Sequence, residues 1–279
     1  LYSSAASDVY KRQVHGSARN NNWEPVKIHG QLQVKGRFLC NGQGDTISLR
    51  GVSLGWHNLW PRFYNKKAVK WLKDDWKCSV IRAAMGAYEG VEDGYLVNPE
   101  FALNCVETVV RASIKENVYV IIDWHAHDFY PELAKQFFAS MARKYGKNPH
   151  IIYEIFNEPT HEHSWERIKK YAEEVIAEIR KYDPDNLIIV GTPSWDQHVD
   201  IVANNPIVGY ENIMYSLHFY AASHKEELRN RVAKALEKDL PLFVTECAGM
   251  EHTGDGFLDI PEREKWTDFL EKNRISWVN

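Results

Sequence analysis

From Ile47 onward the chain alternates short apolar runs with longer amphipathic stretches. The short runs are ISLRGVSL from Ile47, VIRAAM from Val80, YVIIDW from Tyr119, IIYEIF from Ile151, LIIVGT from Leu187, IMYSLHF from Ile213, PLFVTE from Pro241 and ISWVN from Ile275. Several are apolar almost throughout, which is how strands buried on both faces of a parallel sheet read. They recur at the spacing of one βα unit. Between them the apolar positions fall three and four apart, as on one face of a helix. Asn98-Pro99-Glu100 supplies a cap, a first-position proline and a first-turn acid ahead of Phe101, Cys105, Val106, Val109 and Val110. Pro131-Glu132 opens the next helix, and Gly146 follows its last turn. Ser164 caps a helix carrying Trp165, Ile168, Ala172, Val175, Ile176 and Ile179. Ser223 with Glu226 reads as a capping box, and Pro261 opens a helix with Trp266, Phe269 and Leu270.

Eight strands alternating with about seven helices predict an α/β fold, a (β/α)8 TIM barrel. Ahead of it, QLQVKGRFLCNGQGDTIS from Gln31 predicts an N-terminal hairpin that plugs the barrel bottom. A doubly wound open sheet is the alternative, but neither G-x-G-x-x-G nor G-x-x-x-x-G-K-[ST] follows any strand. Residues 1–13 (LYSSAASDVYKRQ) have no initiating Met and no apolar core, and are expected to be a non-native leader. Residues 14–279 are then a single catalytic barrel domain. Its last run stops at Asn279, so the barrel is expected to be C-terminally incomplete, truncated before its last helix.

Composition narrows the function. The 279 residues are 44% hydrophobic and 26% charged, enough for a sizeable core. A net charge of −4 offers no basic field for phosphate backbones, which argues against nucleic acid. No run reaches the roughly 18 apolar residues of a membrane helix. Cys40, Cys78, Cys105 and Cys247 form no C-x-x-C pair, so zinc-ribbon and thioredoxin-type readings fall away, while their disulfide state stays open. The aromatic load is high, with 10 Trp, 14 Tyr and 11 Phe, and suits a ligand with broad faces.

In this fold chemistry sits at the C-terminal ends of the strands. Those ends carry Arg82, Asp123-Trp124-His125, Asn157-Glu158-Pro159, Trp195, His218-Phe219-Tyr220, Glu246 and Trp277. Glu158 closes the fourth strand and Glu246 the seventh, a pairing that the barrel can bring to the separation a retaining glycosidase needs. One carboxyl must keep a proton while the other stays ionised. Arg82 is placed to hold one of them charged, Tyr220 to donate to it, and Asn157 to hold a sugar hydroxyl at C2. Glu154 reads as solvated or structural. Trp56, Trp60, Trp195 and Trp277 lie at or beyond strand ends and are expected to stack on pyranose faces. Trp71, Trp76, Trp165 and Trp266 are expected in helix packing. The pairs His125/His127 and His161/His163 invite a metal, but three or four converging ligands and H-E-x-x-H are lacking, so none is expected.

These stretches also carry a resemblance. LRGVSL, VIRAAM, VIIDWHAH, IIYEIFNEP, IIVGTPSW, SLHFY, PLFVTECAG and SWVN, between Gln31 and Asn279, resemble glycoside hydrolase family 5, most of all its bacterial-type endo-β-1,4-glucanases, the cellulases. N-E-P alone is a short pattern; in barrel order with D-W-H, H-F-Y and T-E it is specific. The resemblance implies Glu158 as acid/base and Glu246 as nucleophile. Arg82, His125, Asn157, His218 and Tyr220 would support them, with Trp277 as the floor under the sugar at the cleavage point and Trp195 stacking on a neighbouring unit. The first loop, GWHNLWPRFYN, departs from the subfamily's forms. Expected, then, is a secreted, monomeric, cofactor-free retaining hydrolase of β-glucan polysaccharide, without a nucleic-acid or membrane partner. A mannanase, xyloglucanase or mixed-linkage glucanase is the alternative within the clan. A non-catalytic carbohydrate-binding barrel and a metal-dependent hydrolase are the alternatives outside it.

Overall fold

The computed structural model describes residues 23–88, 90 and 92–279, and the expected leader over residues 1–13 lies outside them. All eight apolar runs become barrel strands. β1 (Gln33–Lys35) and β2 (Phe38–Cys40) pair as an antiparallel hairpin. β3 (Arg50–Trp56), β4 (Val80–Gly86), β5 (Tyr119–His125), β6 (Ile151–Glu154), β7 (Leu187–Val190), β8 (Ile213–Tyr220), β9 (Leu242–Ala248) and β10 (Ser276–Val278) then close a barrel in chain order. Short as it is, β10 pairs in parallel with both β9 and β3 and completes the ring.

The helices are α1 (Pro25–His29), α2 (Lys66–Asp74), α3 (Pro99–Glu116), α4 (Pro131–Tyr145), α5 (Trp165–Arg180), α6 (Pro193–Asp196), α7 (Val199–Val202), α8 (Glu226–Leu236) and α9 (Ile260–Asn273). Side chains from Asn98, Ser164 and Asp259 accept the first backbone N–H groups of α3, α5 and α9. The capping box expected at Ser223 does not form. α8 begins two residues later than that box requires, and Ser223 Oγ instead accepts from the His252 backbone N–H at 3.0 Å.

Two apolar cores result. Inside the barrel, Val80, Tyr119, Ile121, Ile152, Leu187, Ile189, Met214, Phe243 and Val278 meet Val26, Leu32 and Leu39, so α1 and the hairpin do plug the bottom. The larger core lies between strands and helices and contains Trp124, Phe137, Phe138, Trp165, Phe219 and Trp266. Trp266 stacks on Phe219 at 4.0 Å between centroids. Trp71 and Trp76 depart from expectation, at 54% and 39% exposed. On α2 the buried stripe runs through Val69 and Leu72; Trp71, two residues past Val69, falls on the other side. All four cysteines are buried, and among the described residues no disulfide joins them. Among the described residues no helix is long and apolar enough to cross a membrane.

Two local irregularities position the site. Between β8 and β9 the partners step from Ser216↔Phe243 to His218↔Glu246, so β9 takes three residues where β8 takes two. This bulge breaks the strict in-out alternation and lets Thr245 and Glu246 both face the barrel interior. The second is a close approach after β7. A Cβ added to Gly191 would lie 2.4 Å from the Phe156 carbonyl oxygen and 2.9 Å from Pro159 Cδ, in the segment that carries Glu158. Gly191→Ala is therefore expected to destabilise the fold by about 1–3 kcal/mol. It should appear as a lower urea midpoint at unchanged slope; a midpoint equal to the parent's would show that the segment has room to give.

Candidate active site

At the centre of the mouth, Arg82 projects from β4 and is completely buried. Its Nε and Nη2 donate to both oxygens of Glu154 at 2.8 and 3.1 Å. Nη2 also donates to Asn157 Oδ1 at 2.6 Å and lies 2.9 Å from Asp123 Oδ2, while Nη1 donates to Glu246 Oε2 at 2.8 Å. Such a cation is tolerated in the interior only because oxygen acceptors replace its water. Glu154 is thus a structural carboxylate, entirely buried as the counter-ion of Arg82. The signal that could have found it is its register, since Glu154 pairs with Asp123 of β5 and that residue lies on the same cation.

Glu246 takes a second hydrogen bond from the Tyr220 hydroxyl at 2.5 Å. Burial alone would raise its carboxyl; the charges of His218 and Arg82, with the Tyr220 hydroxyl, overcome this and hold it far below the usual carboxylate range. Burial raises the Tyr220 phenol in turn, so it stays a donor. Glu158 has a different setting. It lies beyond β6, its backbone N–H donating to Ala126 O, and Oε1 lies 2.8 Å from His218 Nδ1. His127 Nδ1 approaches its Oε2 at 3.7 Å. One oxygen of Glu158, one of Glu246 and a nitrogen of His218 lie within 4.8 Å of one another. Three such atoms are close enough to chelate a cation, but each is already engaged, Glu246 by Arg82 and Tyr220 and Glu158 by His218.

The structure fixes the amide of Asn157. Its Oδ1 must face the Arg82 donor, so its Nδ2 is the free end, buried and without a hydrogen-bond partner. His125, buried beside Asp123, directs Nδ1 to the aspartate at 2.7 Å, and burial followed by the charge of Arg82 keeps the ring neutral, well below the ordinary histidine value. Trp56 packs against the edge of His125 at 4.7 Å and stacks on Tyr88 at 4.8 Å, forming an aromatic wall with His127. Tyr88 carried no motif and was invisible in the sequence. His57, with Nδ1 accepting from Gly86 N–H and Nε2 against Asp93 O, is structural.

Trp195 is 38% exposed beside His161, at 5.2 Å between ring centroids. It is held there by an uncommon backbone: Ser194, Trp195 and Asp196 all take left-handed φ, at 58°, 55° and 59°. The same turn directs Asp196 inward, where it is fully buried; sequence reading passed over it. Trp277 requires correction. It is 5% exposed and belongs to the outer core, with the guanidinium groups of Arg50 and Arg263 5.6 and 5.0 Å from its ring centroid. Its neighbour Val278 faces the interior, so alternation directs Trp277 away from the mouth. It therefore cannot floor a sugar site. Arg82, His125, Asn157, Glu158, His218, Tyr220 and Glu246 do converge, and Trp195 stands at their rim.

The profile of Cellulase (glycosyl hydrolase family 5) matches residues 40–279. An endoglucanase of Clostridium saccharobutylicum is 43% identical over 256 residues, covering 90% of this chain and 56% of that protein. Endoglucanase Z of Dickeya dadantii is 45% identical over 266 residues, covering 93% of this chain and 61% of its own length. The chain thus spans little more than half of these curated relatives. The catalytic domain of a Thermobifida fusca endoglucanase, solved also in complex with cellotetraose, superposes with a TM-score of 0.86 at 36% identity, covering 91% of this chain and 86% of that one. By its fold and by this match across most of its length, the chain belongs to glycosyl hydrolase family 5.

Proposed function

We propose that the chain is an endo-acting β-1,4-glucanase that cleaves cellulose or related β-glucans with retention of configuration. The observation that carries this reading is the pair Glu158 and Glu246, with carboxylate oxygens within 4.8 Å and opposite surroundings. That spacing suits direct attack by a carboxylate; an inverting pair stands roughly 6.5–9.5 Å apart to admit a water. Glu246, held ionised by Arg82 and Tyr220, attacks the anomeric carbon. Glu158 gives its proton to the departing glycosidic oxygen, and a covalent glycosyl-enzyme forms. Glu158 then takes a proton from water, which attacks the same carbon and releases Glu246.

The remaining groups suit a sugar. The free Nδ2 of Asn157 can donate to the hydroxyl at C2, whose hydrogen bonds strengthen as positive charge grows on the ring. The carboxylates around Arg82 favour that charge electrostatically. Trp195 offers an exposed apolar face for a neighbouring pyranose. The relatives' designation as endoglucanases supports the β-glucan assignment.

Glu246→Gln is expected to lower kcat on a soluble cellulose derivative on the order of 10⁴-fold or more, because nucleophile and proton donor act as one unit. Near-parental turnover would remove the assignment. Proton NMR of fresh cello-oligosaccharide digests should show the β-anomer first, whereas first appearance of the α-anomer would mean inversion. A reducing-sugar panel over cellulose, mannan, xyloglucan and mixed-linkage glucan should rank a β-1,4-glucan highest, and a mannan in first place would reassign the substrate. Tyr220→Phe removes a donor that holds the Glu246 carboxylate low. The carboxyl rises, and the acid limb of kcat/KM moves to higher pH by about one unit or less; a limb that stays in place would free Tyr220 of that duty.

A further inference from the structure

The mechanism above leaves one buried carboxylate without a task. Asp196 is fully buried at the end of the left-handed turn. Its Oδ1 accepts from the Thr192 backbone N–H at 2.5 Å, but its Oδ2 makes no hydrogen bond and faces His218 Nε2 at 3.3 Å. Among the described residues no other cation pairs with it, whereas Glu154 has Arg82. Three consecutive non-glycine residues in the left-handed region are strained, because each Cβ crowds the following carbonyl oxygen. Strain of that kind persists where surrounding structure holds it and often marks a functional position. Trp195 N–H donates to Pro159 O at 2.8 Å, fastening the turn to the segment that carries Glu158, and Asp196 N–H donates within the turn to Thr192 O at 3.2 Å.

We propose that Asp196 is a positioning residue that shares a proton with His218 Nε2 and so keeps the opposite ring nitrogen, Nδ1, as the N–H donor to Glu158. The role rests on the glycosidase reading, in which Glu158 is the acid/base. His218 is a bridge between two carboxyls, with Glu158 Oε1 2.8 Å from Nδ1 and Asp196 Oδ2 beyond Nε2. Thr245 Oγ1 at 2.8 Å and Glu154 Oε1 at 3.8 Å complete the surroundings of Nε2. Asp123, His125, Glu246 and Cys247 lie within electrostatic reach of the ring. Burial alone would lower the imidazole, but Asp196, Glu154 and Glu158 together raise it well above the ordinary value. Thr245 Oγ1 and Asp196 Oδ2 both stand beside Nε2 and Glu158 Oε1 beside Nδ1, so a doubly protonated ring finds an oxygen at each nitrogen and Glu158 gains a charged donor fixed in direction. Burial pushes the Asp196 carboxyl up in turn, against the pull of His218, which favours a proton held between the two.

Asp196→Asn is a clean test, because Thr192 N–H demands an oxygen at the near position. The amide nitrogen then faces Nε2, which must become an acceptor, so the ring turns neutral with Nδ1–H retained. In the full chain, 15N NMR of the imidazoles should show both His218 nitrogens protonated across the active pH range in the parent and Nε2 bare in Asp196→Asn. On a soluble cellulose derivative kcat should fall about tenfold with little change in KM, and the alkaline limb of kcat/KM should move up by about one unit, since a charged donor beside the acid is lost. Asp196→Glu, which retains the acid, should recover part of the parental profile. A His218 ring that is neutral in the parent, or ring shifts and an alkaline limb unchanged by Asp196→Asn, would overturn the proposal. The NMR arm needs no turnover, so a parent without β-glucanase activity would defeat the glycosidase reading while leaving the proton-sharing result to stand or fall separately.

Discussion

Everything at the mouth of the barrel is arranged around the buried guanidinium of Arg82. Without water, its donors must all be met by protein oxygens, and four residues from different parts of the ring supply them: Asp123, Glu154, Asn157 and Glu246. Each acceptor is oriented in return. Glu246 is kept ionised, Asn157 is held with its Nδ2 as the free end, and Glu154 and Asp123 are fixed in the floor. A cation that is costly to bury thereby becomes a rigid template, and rigidity of this kind is what lets preorganised charge act on a reaction without first rearranging.

The two glutamates divide their duties by what touches them. Glu246 meets a cation and a phenol; Glu158 meets an imidazole. Sequence position alone, one strand end against another, does not contain that difference. It arises because β4 delivers Arg82 next to one carboxylate while β8 delivers His218 next to the other.

The barrel itself was legible because a strand buried on both faces needs an apolar run, and eight such runs at βα spacing admit few other folds. That same continuity hides which side chains point inward. Trp277 sits in an unbroken apolar segment, so nothing in its neighbours revealed that it faces the helices. Thr245 and Glu246 are adjacent yet both face inward, which no alternating pattern foretells. Glu158, Glu246 and Arg82 could be found because charged residues within or just after apolar runs stand out. Asp196 could not, since its role depends on a left-handed turn that its sequence, Pro-Ser-Trp-Asp, does not advertise with a glycine. Trp71 shows a further limit: a short helix with only two buried apolar residues, Val69 and Leu72, leaves its stripe open to misreading.

The bulge in β9 has a consequence for how this strand can change. Deleting one residue between Phe243 and Glu246 would restore regular pairing with β8 and give a more orderly sheet. It would also turn either the Glu246 carboxylate or the Thr245 hydroxyl under His218 toward the helices. At this one place regularity and chemistry are opposed, and the strand behaves like a reading frame. Residues in it can be exchanged for others of the same kind, but the number of residues cannot change by one.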